Sequence, residues 1–545
     1  MQGFEVPQPG LWDVRALTGH LLPESGMFAF LAGQRGELFP DEDYADLFAE
    51  DGRPSEPATR MAAVMALQVL HGLPDRETAE AVRFDLRWKL ALGLGIEDRG
   101  FDPSTLVYWR RRIAASQRPH RVSDAVRKVV EATGILRGRR RRVVDSTIFQ
   151  DAVASQDAVT QLIAAVRRAE REVPGAAGVI ARECSGFDYR RGRRPVIDWG
   201  DPQAVEELVS ALAGDANTVV EALRDAELDE QAAAALALLG LVAGQDVEPA
   251  EGSDGTDGRW RIARKTAEDR MVSQVDPESR HARKNRHTPV DGYRAHLSAE
   301  PSTGIIIDEE LTQASGQENS DAAAAARFAA REHEQEAGRD AQAAAGPRAG
   351  RDAGAGAHPL RWYGDSAYGT GDLRDAIRAA GDEAVIKPKP LKRAVQGGFT
   401  RDDFTVSHQG GTATCPAGIT RPITPAGVVN FLSACRGCPL RARCTTSRAG
   451  RTLILGQHDQ LLREARRDWA EPALRRDYRT HRPAAGRTVA QVATIRGRRI
   501  KLRYRGTAKN RAWLKHRTAA VNLRTLLRHG LTRSADAWIL APAAR

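Results

Sequence analysis

At 545 residues the chain is too long for one ordinary hydrophobic core, so two to four structural units are expected. Hydrophobic residues make up 41% and charged residues 28%, a globular balance with no apolar run long enough to cross a bilayer. The net charge of +10 favours a polyanionic partner. An Arg- and Ala-rich composition can also follow from a GC-rich coding sequence, but the arginines cluster at 137–142, 190–194, 280–286 and 463–528, which points to nucleic acid. The opening MQGFEVPQPGLWD lacks the basic start and apolar stretch of a secretory signal, so the expected compartment is the cytoplasm and no membrane partner is expected.

The first 120 residues read as helical. In PSEPATRMAAVMALQVLHGL, Ser55 offers an N-cap, Pro57 stands early in the helix, and Met61, Val64, Leu67 and Leu70 share a side. The turn LPDRET leads into AEAVRFDLRWKLALGLG, one amphipathic helix ending at glycine. FDPSTLVYWRRRI follows, with Ser104 as a cap before Leu106, Trp109 and the arginines Arg110 and Arg111. Short helices, tight turns and a basic last helix fit a helix-turn-helix unit and a plain bundle with a solvated basic face equally well.

RGRRRRVVDSTIFQDAV begins a second section, in which Arg141 to Val144 reads as a buried strand ending on Asp145. Residues 156–261 change to long Ala/Leu/Glu/Arg helices, an insertion closed by the Gly/Asp-rich linker QDVEPAEGSDGTDG. YRAHLSAE and TGIIIDEEL, joined by PSTG, form a hairpin. An Ala/Arg/Glu helix from 322 runs into the loop AAAGPRAGRDAGAGAHP. LRWYGDSAYGTGDLRDAIRAAG gives a strand, a turn and a helix, and EAVIKPK another strand. The order is that of an α/β core with a mixed sheet.

Asp145 and Asp365 share a placement: each follows a short apolar strand (VVD, WYGD) and precedes serine. A single aspartate there commonly caps the next turn. Two of them at the ends of adjacent strands can hold divalent cations through oxygen, activating an attacking oxygen and stabilising the leaving oxygen of a phosphodiester.

Four cysteines lie within thirty residues: Cys415, nineteen residues, Cys435-Arg-Gly-Cys438, five residues, Cys444. The spacing fits a structural four-thiolate Zn²⁺ site that would pin a segment poor in apolar core, with buried reduced thiols as the alternative. Past residue 475, charge and aromatics interleave. Lys501, Arg503, Arg505 and Lys509 suit phosphates, while Tyr504 and Trp513 suit stacking on unpaired bases.

VVDSTIFQDAV, DGYRAHLSAEPSTGIIID and WYGDSAYGTGDLR, then the cysteine cluster, then YRTHRPAAGRTVAQVATIRGRRIKLRYRGTAKNRAWLKHRTAAVNLRTLL, resemble in that order the DDE insertion-sequence transposases. The resemblance covers nearly the whole chain. It implies an RNase H-like mixed-sheet catalytic core over 135–155, 262–400 and 455–530, an all-α DNA-binding domain over 1–125, the helical insertion at 156–261, and the Cys-rich zinc segment at 401–454. It implies Mg²⁺ or Mn²⁺ as catalytic cofactor. As partners it implies double-stranded DNA, both terminal inverted repeats and target, and a homo-oligomer on that DNA.

By the same resemblance Asp145 and Asp365 are two carboxylates of a triad whose third member is a glutamate on a late helix. The Tyr, Arg, Glu signature runs here Tyr478, Arg482, Gly486, with Arg482 and Arg487 flanking the position. An engineered inactive variant, a decayed or repurposed copy, or rescue by Glu464, Glu471 or Asp477 would each account for the glycine; none of the three acids has the expected spacing. The expected function is DNA cleavage and strand transfer at transposon ends. The alternatives are a catalytically dead DNA-binding regulator of the same descent and a structure-specific nuclease.

Overall fold

The β-branched and aromatic run Arg141–Gln150 forms the central strand of the computed structural model, its apolar residues buried on both faces. The structure describes every residue except 6–12, 24, 154, 191, 193, 264–266, 268–269, 286–287, 345–357 and 542–545. Most of the loop expected after the 322 helix therefore lies outside the described residues.

The central strand pairs antiparallel with Thr288–Ala299 and parallel with Arg361–Gly364, which pairs parallel with Glu383–Ile386. The outer edge of Thr288–Ala299 carries Arg280–Asn285 and Ile306–Gln313, both antiparallel. Setting Arg280–Asn285 aside, the sheet runs third, second, first, fourth, fifth in chain order, and the second strand alone opposes the rest. The expected hairpin is present. Its turn is locked by the Glu300 carboxylate, which accepts the backbone N–H groups of Ser302 and Thr303 at 3.0 and 2.7 Å.

Three local expectations are corrected. The first strand does not end on Asp145: Ser146 to Gln150 continue it and pair with residues 296 to 292 opposite, so Asp145 sits mid-strand. EAVIKPK is a strand only as far as Ile386, because Pro388 and Pro390 have no N–H to give a ladder. The Gly/Asp-rich linker contains a small hairpin, Val247–Pro249 with Trp260–Ile262.

Helices cover both faces of the sheet. Asp321–Ala344 and Gly371–Ala379 bury Val144 and Trp362 against Phe328, Leu373 and Ile377. On the opposite face, Pro483–Ala493 and Thr507–Arg528 pack Val492, Leu514 and Val521 on Phe149 and Leu297. The insertion has its own core, with Leu162, Leu212 and Leu239 drawn from three of its helices.

The N-terminal helices form with different ends from those expected. Ala58–His71 is capped by Asp41, whose carboxylate accepts the Thr59 N–H and hydroxyl, rather than by Ser55. The single helix expected after LPDRET is two, Asp75–Phe84 and Leu86–Leu92; Asp85 breaks it by accepting the Arg87 N–H at 2.9 Å. Ser104 is the first residue of Ser104–Ala115, and Asp102 accepts its N–H.

These helices do not close a core alone. Met61, Trp88, Leu106 and Val126 pack into one cluster with Leu523, Leu526 and Leu527 of Thr507–Arg528. At that seam Arg517, 1% exposed, gives all five N–H groups to backbone carbonyls: Nε to Val492, Nη1 to Val69 and Leu70, Nη2 to Gln491 and Thr494. Burial pulls its pKa down to about 10. Arg517→Ala should cost about 3–5 kcal/mol in denaturant unfolding, since it leaves buried acceptors unpaired, and Arg517→Lys, with three donors, should recover only part. An unchanged midpoint for Arg517→Ala would refute the clamp.

Candidate active site

Asp145 and Asp365 are placed together by strand register. Val143 lies beside Tyr363 in the parallel pair, so the two aspartates stand two residues further along neighbouring strands. The neighbour ends at Gly364, just before Asp365, while the central strand continues past Asp145 to Gln150. Asp365 also caps the following turn, its Oδ1 accepting the Ala367 N–H at 2.8 Å, and Asp145 Oδ1 accepts the Ser146 N–H at 2.9 Å. The capping role and the paired-carboxylate role coexist, one oxygen serving each.

The second oxygens share one partner. Arg482 Nη2 lies 3.1 Å from Asp145 Oδ2 and 3.4 Å from Asp365 Oδ2. Arg482 sits at the junction of Pro472–His481 and Pro483–Ala493, where Pro483 opens the second helix. Burial raises the Asp145 pKa above the ordinary carboxylate value; Arg482 and the Ser146 N–H oppose the rise, and the Asp365 charge adds to it. Tyr478 packs edge-on to Trp469 with ring centres 4.9 Å apart, and burial raises its phenol against the pull of Arg482.

Gly486 lies one turn beyond Arg482 on the same side of the helix. A Cβ built there meets nothing within 4 Å, and the residue is not among those with positive φ. Neither crowding nor backbone geometry demands glycine at this position. Two of the three acids considered as substitutes are engaged elsewhere: Glu464 pairs with Arg378 at 2.7 Å, and Asp477 accepts the Tyr363 hydroxyl at 2.9 Å.

The basic residues singled out in the sequence divide into engaged and open groups. Arg110 pairs with Asp75 and lies over the Tyr504 ring, and Arg503 donates to the Gly72 carbonyl. Trp513, partly buried, packs edge-on against Phe149 at the margin of the core, and burial raises the Tyr504 phenol, so both rings are in use within the protein. Arg111, Arg487, Lys501, Arg505 and Lys509 are exposed. Lys387, Lys389 and Lys392, beyond the last sheet strand, are exposed beside the Asp365 turn, where the sequence pattern alone suggests only the end of a strand. The basic run KPKPLKR is the signal that could have marked them.

Cys415, Cys435, Cys438 and Cys444 line one cavity with Phe404, Phe431 and Arg451. Cys435 Sγ accepts the Arg451 backbone N–H at 3.4 Å. Burial pushes the Cys444 thiol up; Arg451 opposes this, and the other three cysteines add to it. Among the described residues no group of three or more His, Cys, Asp or Glu side chains is arranged to hold a metal ion, and no helix is long and apolar enough to cross a membrane.

Two family models match the chain: the transposase DDE domain over residues 424–527, and the transposase domain DUF772 over residues 33–112. No curated protein and no solved structure matches it. The first match contains Tyr478, Arg482, Gly486 and three of the clustered cysteines; the second contains the helices from 58 to 92 and most of Ser104–Ala115. Both families are transposases, whose substrate is DNA.

Transposase DDE domains generally use a divalent metal such as Mg²⁺. The oxygens of Asp145 and Asp365 suit such a hard cation by their chemistry. Arg482 supplies positive charge between the two. Arg482→Ala should therefore lower stability in EDTA by roughly 1–2 kcal/mol, leaving two carboxylates facing each other. Added Mg²⁺ should raise the melting temperature of Arg482→Ala more than that of the unmodified chain. Equal shifts in both proteins would rule out competition between Arg482 and a cation for the aspartates.

Proposed function

We propose that this insertion-sequence DDE transposase binds the ends of its element as a homo-oligomer, hydrolyses phosphodiester bonds there and joins the freed 3′ hydroxyl to target DNA. The observation that carries the reading is the in-register pair Asp145 and Asp365 on adjacent parallel strands. The strand order, third, second, first, fourth, fifth with the second reversed, supports an RNase H-like core built from 135–155, 262–400 and 455–530. The helices of 1–125 are the proposed DNA-binding part, and 156–261 is an insertion with its own core.

In this scheme Asp145 and Asp365 hold the catalytic cation, Mg²⁺ or Mn²⁺, which when bound supplies Lewis-acid stabilisation of charge on the phosphodiester oxygens. Arg482 keeps the two carboxylates apart from one another's charge before DNA and cation arrive. Arg111, Arg487, Lys501, Arg505 and Lys509 neutralise phosphates of the bound duplex.

Gly486 and the Arg482 bridge also favour a second reading, a catalytically dead transposase-derived protein that occupies transposon ends and regulates their use. A cleavage assay on DNA carrying the element's ends, with Mg²⁺ or Mn²⁺, separates the two. Gly486→Glu should accelerate cutting by ~10²-fold or more, the scale on which one electrostatic contributor to a transition state acts. Equal strand transfer by both proteins would show that the triad is not broken; tight binding without cutting by either would favour the regulator.

For residues 401–454 the proposed role is a structural zinc site at Cys415, Cys435, Cys438 and Cys444. That all four cysteines line one cavity and the Cys435 sulfur accepts an N–H supports it, although the side chains as placed do not form a metal-binding group. Purified protein should carry about one zinc ion per chain, and Cys438→Ser should lose it and melt earlier. Zinc-free native protein would leave the cysteines as buried thiols.

A further inference from the structure

We infer that the segment 387–393, KPKPLKR, is a phosphate rail that holds the backbone of the DNA strand passing the Asp145–Asp365 pair. This rests on the reading of the chain as a DNA-cutting transposase and adds a phosphate-binding site to it.

The segment leaves the sheet at the carboxyl end of Glu383–Ile386, next to the strand that leads into Asp365. Ligands of open α/β sheets gather at that edge. Its first residue is tied to the active-site strand, since the Lys387 N–H donates to the Gly364 carbonyl at 3.2 Å. Directly below, the buried Arg374 donates to the Ile386 carbonyl at 2.5 Å. The segment then runs against Gly369, just past the Asp365 turn, so closely that a Cβ on Gly369 would lie 2.8 Å from the Lys387 oxygen and 3.3 Å from the Lys389 nitrogen. Only a residue without a side chain allows this approach.

The sequence stiffens what these contacts place. Pro388 and Pro390 fix their own φ and push Lys387 and Lys389 into extended backbone. Extended in this way, Lys387 and Lys389 are spaced about 6 Å apart along the chain. Lys387, Lys389 and Lys392 are exposed, and none has a hydrogen-bonding or ion-pairing partner for its ammonium group among the described residues. Arg393 differs, because its charge is felt by Asp403, whose pKa is lowered chiefly by the Thr400 hydroxyl and backbone N–H. Three unpaired ammonium groups on a rigid, anchored edge beside two carboxylates fit an anionic polymer that must come close to those carboxylates without being repelled by them. A DNA strand with its scissile phosphate at the aspartates is such a polymer.

The test uses the full chain in EDTA and a short random-sequence duplex, with affinity followed by fluorescence anisotropy over a range of salt concentrations. The triple variant K387Q/K389Q/K392Q should reduce the slope of log affinity against log salt by about 2–3, close to 0.9 for each phosphate no longer neutralised. In the unmodified chain, bound duplex should protect the three lysines from acetylation, read residue by residue by mass spectrometry. An unchanged slope with all three lysines still reactive in the complex would overturn the rail and leave the transposase reading intact. No binding of the duplex by the unmodified chain at low salt would remove the DNA-binding reading, and the rail with it.

Discussion

Arg517 gives its five N–H groups to the carbonyls that end two helices, Ala58–His71 in the N-terminal part and Pro483–Ala493 over the sheet, and to Thr494 just beyond the second. The last carbonyls of a helix have no partner within it and carry the negative end of its dipole. A buried guanidinium satisfies both needs at once, with no carboxylate among its partners. Pro483–Ala493 is the helix that begins at Arg482 and carries Gly486. Its C-terminal end is thus fixed by the same side chain that fixes the first long N-terminal helix, and the placement of Arg482 over the two aspartates depends on that fixed end. The shared core of the N-terminal helices with Leu523, Leu526 and Leu527 reinforces the coupling. Whatever the N-terminal helices hold is held in a set relation to the aspartate pair.

The charge balance at the pair is set by Arg482. Two carboxylates and one guanidinium leave the site one negative charge, so a single arginine can bridge both oxygens at 3.1 and 3.4 Å. A glutamate one turn along would add a second net negative charge and oxygen donors, conditions that favour a divalent ion over the guanidinium. The open space at Gly486 shows that the helix packs without using this position, so the fold and the charge of the site can vary independently there.

Much of this was legible in the sequence because the relevant signals are local. VVD and WYGD mark, through apolar runs of a few residues, strands that carry or lead into aspartates, and the hairpin at 301–304 is announced by its turn residues. The α/β order holds with two additions, the linker hairpin and the strand Arg280–Asn285. Element ends do not hold, since they are set by partners distant in sequence: Asp41 caps the helix credited to Ser55, and Thr288–Ala299 extends the strand expected to stop at Asp145. Side-chain roles were hidden for the same reason. Arg482, Arg110 and Arg517 look alike in a basic tract or helix, yet one bridges the aspartates, one pairs with Asp75 and one is buried on carbonyls.

That sorting of cations bears on how a basic chain meets DNA. A count of arginines overstates the available charge, because many are committed to Asp and Glu partners or to backbone oxygen, and the aromatic rings of Trp513 and Tyr504 are likewise engaged. Of the cations discussed above, those open beyond Arg111 lie on two stretches, Arg487 to Lys509 and Lys387 to Lys392. The first follows the helix that starts at Arg482; the second follows the strand beside Asp365. The two aspartates therefore have uncommitted cations in the chain segments leading away from each side of the pair. On the proposed reading, a strand of phosphates is drawn in by both while the two carboxylates stay shielded by Arg482.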